Sequence, residues 1–201
     1  PRPADGVRVD VRSAPAAVGS FYAGRDFRPA WIHDPALVEA LIGLLASAST
    51  HALDPDDYLD ADLVGALAAI GEPAGAAAAD LQLSVALGRF AKDLRTPASE
   101  AAPLYPDAEL TRPRPDVAGL LSLLADPGAG RSQRLEAFQS VNPLYDQLRS
   151  ALTAHRARWA VLPRTSIPAG ADLAEGQSDP RVRLLRSRLG LLETATADSF
   201  D

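Results

Sequence analysis

The sequence predicts an all-α fold: an irregular helical bundle, then a linker, then one C-terminal helix. Apolar residues recur at spacings of three and four through most of the chain, which fits one face of a helix and not a strand. Segment starts repeat a pattern in which Asp or Asn precedes Pro and Pro precedes an apolar run, as in "HDPALVEALIGLLASAS", "LDPDDYLDADLVGALAAI", "VNPLYDQLRSALTAHRARW" and "SDPRVRLLRSRLG". A capping oxygen there accepts an orphan N–H, and Pro brings a preset φ with no N–H to waste. Strand signal is confined to period-two alternation in "VRVDVRS" at 7–13 and a briefly extended "WAVLPRTSI" at 159–167.

Taken in order, the chain opens with that alternation and reaches "SFYAGRDFRPAWIHDP" at 20–35, which holds two Phe, a Tyr and a Trp although only 5% of the residues are aromatic. Such a run is either a structural anchor or a recognition surface. Leu37, Leu41, Leu44 and Ala48 then form a first helical stripe. The Ala-rich stretch 76–94 has high helix propensity and carries a second stripe, Leu83, Leu87, Phe90 and Leu94. Residues 116–125 and 131–139 read as two short helices. Tyr145, Leu148, Leu152, His155 and Trp159 form a third long stripe, which places His155 as a packed histidine rather than a ligand. Breaks fall at 71–75, at the Pro-rich 96–115, at "DPGAG" and at 162–178, the last a linker. One more helix, 179–190, presents Val182, Leu185 and Leu189 on one face and is followed by a polar tail. No internal repeat is evident.

Composition excludes several function classes. A net charge of −6 with no long Lys/Arg run argues against a general nucleic-acid binder, and no apolar run reaches the length of a membrane span. The absence of cysteine removes disulfides, thiolate metal sites and a Cys nucleophile. His33, His51 and His155 are the only histidines, and no two stand at metal-ligand spacing. Five Asp crowd "LDPDDYLDAD" at 53–62, but a calcium loop would need Gly at its sixth position and Glu at its twelfth, so caps and a solvated acidic face account for them. No nucleophile elbow, dinucleotide fingerprint or phosphate loop occurs. Glu39, Glu72, Glu100, Glu109 and Glu136 are scattered singly, and no spacing selects a carboxylate pair. No cofactor is expected. The chain begins at Pro1 and contains no Met, which implies a processed or trimmed protein.

Five stretches, in order along 20–190, resemble the large scaffold-bearing L,D-transpeptidases of Gram-negative bacteria, the YcbB type with a YkuD-family catalytic domain. "FYAGRDFRPAW" (21–31) resembles the opening motif of that family. "THALDPDDY" (50–58) resembles its "hGLdPedY" element, with Ala52 where Gly is usual. "RFAKDLRT" (89–96) is similar to its "dL.tGr" helix, with Pro97 where Gly would follow. "VNPLYDQLRSALTAHRARW" (141–159) resembles the last scaffold helix, and "IPAGADLAEGQSDPRVRLLRSRLG" (167–190) the entry to a peptidoglycan-binding-like module.

The resemblance implies a helical scaffold domain at 1–161, a linker at 162–178 and a truncated start of the binding-like module at 179–201. It implies a periplasmic setting, peptidoglycan or cell-wall proteins as partners, and a parent that forms 3-3 cross-links with a Cys nucleophile aided by a His. This chain lacks that catalytic domain, so no catalytic residue carries over. In such a scaffold the aromatic run is an anchor: Phe21, Tyr22 and Phe27 supply apolar area, and Trp31 fills the gap before the Asp34 cap. The second reading of the run is a stacking surface. Together with the basic helix it gives a candidate interaction set of Tyr22, Arg25, Trp31, Arg183 and Arg186. The alternatives to the scaffold reading are a free-standing helical cell-wall hydrolase using paired carboxylates, and a stand-alone interaction protein.

Overall fold

The structure, a computed structural model, describes residues 7–96, 114–128, 130–191 and 198–200. Among these residues it has eight α-helices and no strand, so the all-α class holds. The predicted Pro-rich break lies almost wholly outside the described residues. The chain divides into two compact units, Pro1–Gln147 and Leu148–Asp201.

In the first unit the helices are α1 (Ala16–Ala23), α2 (Pro35–Ala46), α3 (Ala61–Ala68), α4 (Pro73–Asp93), α5 (Val117–Ala125) and α6 (Arg131–Gln139), with 3-10 turns at Ser47–His51 and Pro55–Asp57. Helix α7 (Pro143–Ala160) begins in this unit. The spine is α4, against which α1, α2, α3 and α5 all pack. Its Leu83, Leu87, Phe90 and Ala91 are buried against Leu41 and Leu45 of α2, Val18 and Phe21 of α1, and Leu121 and Leu124 of α5 in one core. Each large side chain so buried contributes roughly 1.5–3 kcal/mol. Where α1, α4 and α5 meet, α4 carries Gly88, and a Cβ there would come within 3.1 Å of Val117 and 3.5 Å of Val18. Elements α3 and α4 close on each other more tightly still: a Cβ on Gly75 would fall on the Ala69 carbonyl.

Aspartate caps fix several starts, with Pro at N1 after Asp34 but not after Asp60 or Asp116. Asp34 accepts from the Leu37 N–H at 3.1 Å, Asp60 from Leu63 at 3.0 Å and Asp116 from Gly119 at 2.9 Å. At Asp54–Pro55 the expected helix is only a 3-10 turn, and the α-helix waits for the second cap at Asp60. The Asp cluster at 53–62 is thus used in part for capping. Helix α1 has no counterpart in the spacing argument. Pro15 precedes it without a side-chain cap, so packing of Val18, Phe21 and Tyr22 holds it in place. Residues 7–11 form no strand. Val9 is buried between exposed Arg8 and Asp10, and its N–H donates to the Phe27 carbonyl at 2.9 Å. Phe27 itself is 40% exposed, so it does not supply the core area expected of it.

The second unit holds the rest of α7 and helix α8 (Pro180–Arg188). None of α7 is buried. Leu148 is 61% and Trp159 46% exposed, and His155 is exposed too, which corrects its reading as a packed histidine. Periodicity rightly grouped these side chains on one face; Tyr145 at its start packs against the first-unit core, while no residue of the stripe is fully buried. On α8 Val182 is buried, and Leu189, which caps its C-terminus, is exposed. A short antiparallel pairing closes the unit: Gly176 N–H donates to Phe200 O at 2.7 Å, Asp179 N–H to Asp198 O at 2.8 Å and Phe200 N–H to Gln177 O at 2.8 Å. Among the described residues no helix is long and apolar enough to cross a membrane.

Two glycines separate propensity from packing. In α2, Gly43 is exposed with nothing near its missing Cβ, so Gly43→Ala should raise stability by about 0.5–1 kcal/mol. Gly75→Ala gains the same propensity, yet it should destabilise by about 1–3 kcal/mol because α3 and α4 must separate. Urea denaturation of both variants checks the opposite signs. A pH effect follows from Asp34, whose carboxyl is held below its ordinary value by the Leu37 N–H and then by Arg131 at 2.9 Å. A folded pKa below the unfolded one gives stability that is present above the ordinary carboxylate range and lost on acidification through the folded pKa. Thermal melts of Asp34→Ala should accordingly show a shallower loss of stability between pH 5 and about pH 2 than the parent chain.

Candidate functional site

Each residue of the aromatic run has a fixed place, and that place is set by Asp80 in the middle of α4. Asp80 is fully buried. One carboxylate oxygen accepts from Ala30 N–H at 2.7 Å and from the Tyr22 hydroxyl at 2.6 Å. The other accepts from Trp31 N–H at 2.7 Å and Ile32 N–H at 3.1 Å. Ser84, one turn on, extends the network. Its Oγ accepts from the Trp31 indole N–H at 2.7 Å and lies 2.8 Å from the Tyr22 hydroxyl. With the Tyr22 hydroxyl donating to Asp80, Ser84 donates to Tyr22, so indole, serine, phenol and carboxylate form one directed chain of hydrogen bonds. Burial, together with the Asp80 carboxylate, pushes ionisation of Tyr22 far above the usual tyrosine range, so the phenol remains a donor.

The loop between α1 and Trp31 is strained and clamped. Asp26 and Phe27 adopt left-handed φ values of 53° and 57°, a conformation that costs a non-Gly residue roughly 1–2 kcal/mol. Tyr22 O accepts from both Arg25 N–H at 3.1 Å and Phe27 N–H at 2.8 Å. Arg25 turns back to donate to Arg28 O at 3.1 Å and Pro29 O at 3.2 Å, with its guanidinium over the Phe21 ring at 5.2 Å. Phe21 in turn stacks on Trp31 with centroids 5.6 Å apart.

The other motifs interlock in the same way at the far end of α4. Tyr58 donates to Asp93 at 3.0 Å, and Arg89 to Asp57 O at 2.7 Å. His51 is buried, edge-on to Phe90, with Nδ1 2.8 Å from the Tyr145 hydroxyl and Nε2 3.1 Å from Gln139 Oε1. Arg95 donates to Phe138 O at 2.7 Å and lies over the Phe138 ring. Ala52, which stands where the resembled motif has Gly, takes a left-handed φ of 62°. That is the conformation a glycine would adopt without cost.

The candidate interaction set therefore needs correction. Tyr22 and Trp31 are wholly buried and present nothing to a partner. Arg25 is half-buried and clamps its own loop. In the second unit Arg183 pairs with Asp198 at 2.9 Å, and Arg186, mostly buried, donates to Ser199 O at 3.0 Å. Both arginines hold the closing segment. Asp80 and Ser84 went unnoticed in the sequence, although they share the helical stripe of Leu83 and Leu87 and so had to be buried.

Two clefts remain. The one in the first unit, about 330 Å³, is lined by Ser20, Arg25, Asp116, Ser122 and Asp126 among others. Its two carboxylates do not form a free acid–base pair: Asp116 caps α5, and Asp126 accepts from Gly128 N–H at 2.7 Å. The cleft in the second unit, about 610 Å³, is bounded by Trp159, the 162–166 loop and the end of α8. Among the described residues no group of three or more His, Asp or Glu side chains could hold a metal ion.

Removing Asp80 strands two buried N–H groups, at about 1–3 kcal/mol each. Asp80→Ala should thus destabilise by about 3–5 kcal/mol, and Trp31→Ala by about 3–5 kcal/mol from the emptied site. Because both act on one network, the double variant should lose less than the sum of the two, and urea melts of the three proteins measure that shortfall.

No curated protein and no solved structure matches the chain. A family model described as "Scaffold domain" does match, over residues 16–152. That span runs from the first residue of α1 into α7 and takes in the Asp80 network and the His51 cluster. Since it covers more than half of the chain and every interlocked motif of the first unit, the protein belongs to the scaffold-domain family.

Proposed function

We propose that the chain is the non-catalytic scaffold portion of a periplasmic L,D-transpeptidase that remodels peptidoglycan through 3-3 cross-links. In this reading 162–178 is a linker and 179–201 the start of a peptidoglycan-binding-like module. Membership in the scaffold family, with motifs locked pairwise through α4, carries the reading. The role it supports is mechanical. Side chains in the quoted motifs are spent on holding helices together, which suits a rigid platform that positions other parts. With no cysteine, the chain offers no thiolate to carry an acyl group.

The encoding gene tests the setting. A frame running past Asp201 into the rest of a binding-like module and a Ser-His-Gly-Cys-like stretch supports the reading, and a stop codon directly after Asp201 overturns it. The chemistry has its own check. After incubation with a carbapenem, intact mass spectrometry of the 201-residue chain should show unmodified protein. A stoichiometric covalent adduct would mean that some other nucleophile acts here.

A further inference from the structure

We infer that the larger cleft, in the second unit, binds a carboxylated saccharide. Its volume of about 610 Å³ is in the usual range for small-ligand sites. One wall is Trp159 in the last turn of α7, 46% exposed, with His155 against its ring at 5.6 Å. Arg164, Thr165 and Ser166 come from the following loop, and Arg188 from the end of α8. Gly190, next to the lining residue Leu189, sets the place of Leu162, which also lines the cleft. It has a φ of +75°, and Leu162 lies 2.8 Å from where its Cβ would be, so only glycine lets that leucine settle there.

The charge pattern selects the ligand. The chain carries a net charge of −6, yet among the described residues no carboxylate lines this cleft and neither Arg164 nor Arg188 has an ion-pair partner. A basic residue in the last turn of a helix normally serves the carbonyl end, and that accounts for Arg188. It does not account for Arg164, which stands in a loop. Guanidinium groups bind carboxylates through paired N–H donors. The indole supplies a flat apolar face and one N–H, and the hydroxyls supply further donors and acceptors. A ring with an apolar face, hydroxyls and one carboxylate meets all of these. A nucleotide would use the same arginines, but the C-terminal ends of α7 and α8, which carry partly negative carbonyls, both border the cleft. That disfavours a multiply charged phosphate more than a single carboxylate.

The inference does not rest on the transpeptidase setting, because an acidic sugar of any origin satisfies it. The test is an NMR titration of the whole chain observed at the indole N–H groups, with buried Trp31 as the internal reference. N-acetylmuramic acid and glucuronic acid are the probes, and N-acetylglucosamine, D-lactate and AMP the comparators. A saturable shift of the Trp159 signal with at least one acidic sugar is expected. The neutral sugar and D-lactate should each bind at least about tenfold more weakly, a difference of about 1.4 kcal/mol. Trp159→Ala and Arg164→Ala should each weaken binding about tenfold with an unchanged melting temperature, since both side chains are exposed. No saturable shift with either acidic sugar, an equal response to D-lactate, or tighter binding of AMP would overturn the inference. Binding of glucuronic acid alone would support the site while counting against a peptidoglycan setting, so the two readings can fail separately.

Discussion

A carboxylate in the middle of an apolar helix is costly to bury unless every lone pair is used. Asp80 meets that demand with three consecutive backbone N–H groups and a phenol, and most of the first unit depends on the arrangement. The Ala30–Ile32 segment cannot satisfy those N–H groups within a helix or sheet, because it belongs to neither. The carboxylate gives them a partner, and in return they fix where the segment crosses α4. Trp31 then drops its ring into the core and its indole N–H onto Ser84. The strain at Asp26 and Phe27 is sustained because both ends of their loop are held.

The same helix serves the other motifs by a different chemistry. Toward its C-terminus α4 offers Arg89, Asp93 and, just beyond, Arg95, and these reach Asp57, Tyr58 and the turn between α6 and α7. These bonds are neutral–charged, with backbone carbonyls as the main acceptors, and Arg89 adds a longer ion pair to Asp60 at 3.5 Å. Hydrogen bonds to charged groups contribute about 1.5–3 kcal/mol, more than the 0–1 kcal/mol of a typical exposed ion pair. The first unit is thus held laterally by one long helix whose polar residues are as structural as its leucines.

How much of this was legible follows from what periodicity can and cannot say. Helix class and several boundaries were legible, because Asp34 and Asp179 each stand before a Pro and cap the helix that follows, whereas Asp60 and Asp116 cap without that Pro and Asp54–Pro55 opens only a 3-10 turn. Helix α1 was hidden by the absence of any cap before it. The two tryptophans show the deeper limit. Trp31 sits in a loop among charges and is wholly buried, while Trp159 lies on a clean helical stripe and is half-exposed. Spacing tells which side chains share a face, but only the packing partners decide whether that face is covered. Asp80 was readable in principle, since a carboxylate and a hydroxyl one turn apart on a buried stripe must have partners. Which partners, some fifty residues earlier, no local pattern could tell.

That separation in sequence has a consequence for how the chain can be made. Tyr22, Ala30 and Trp31 precede Asp80 by 58, 50 and 49 residues. A polypeptide emerging N-terminus first presents its aromatic run to solvent, and to whatever surrounds the exit, before α4 exists to receive it. Closing a loop of that length is entropically unfavourable until the contacts it permits are formed. The opening motif is therefore a late element of folding despite its early position. Until α4 arrives, the N-terminal third is the part of this protein most in need of protection from aggregation.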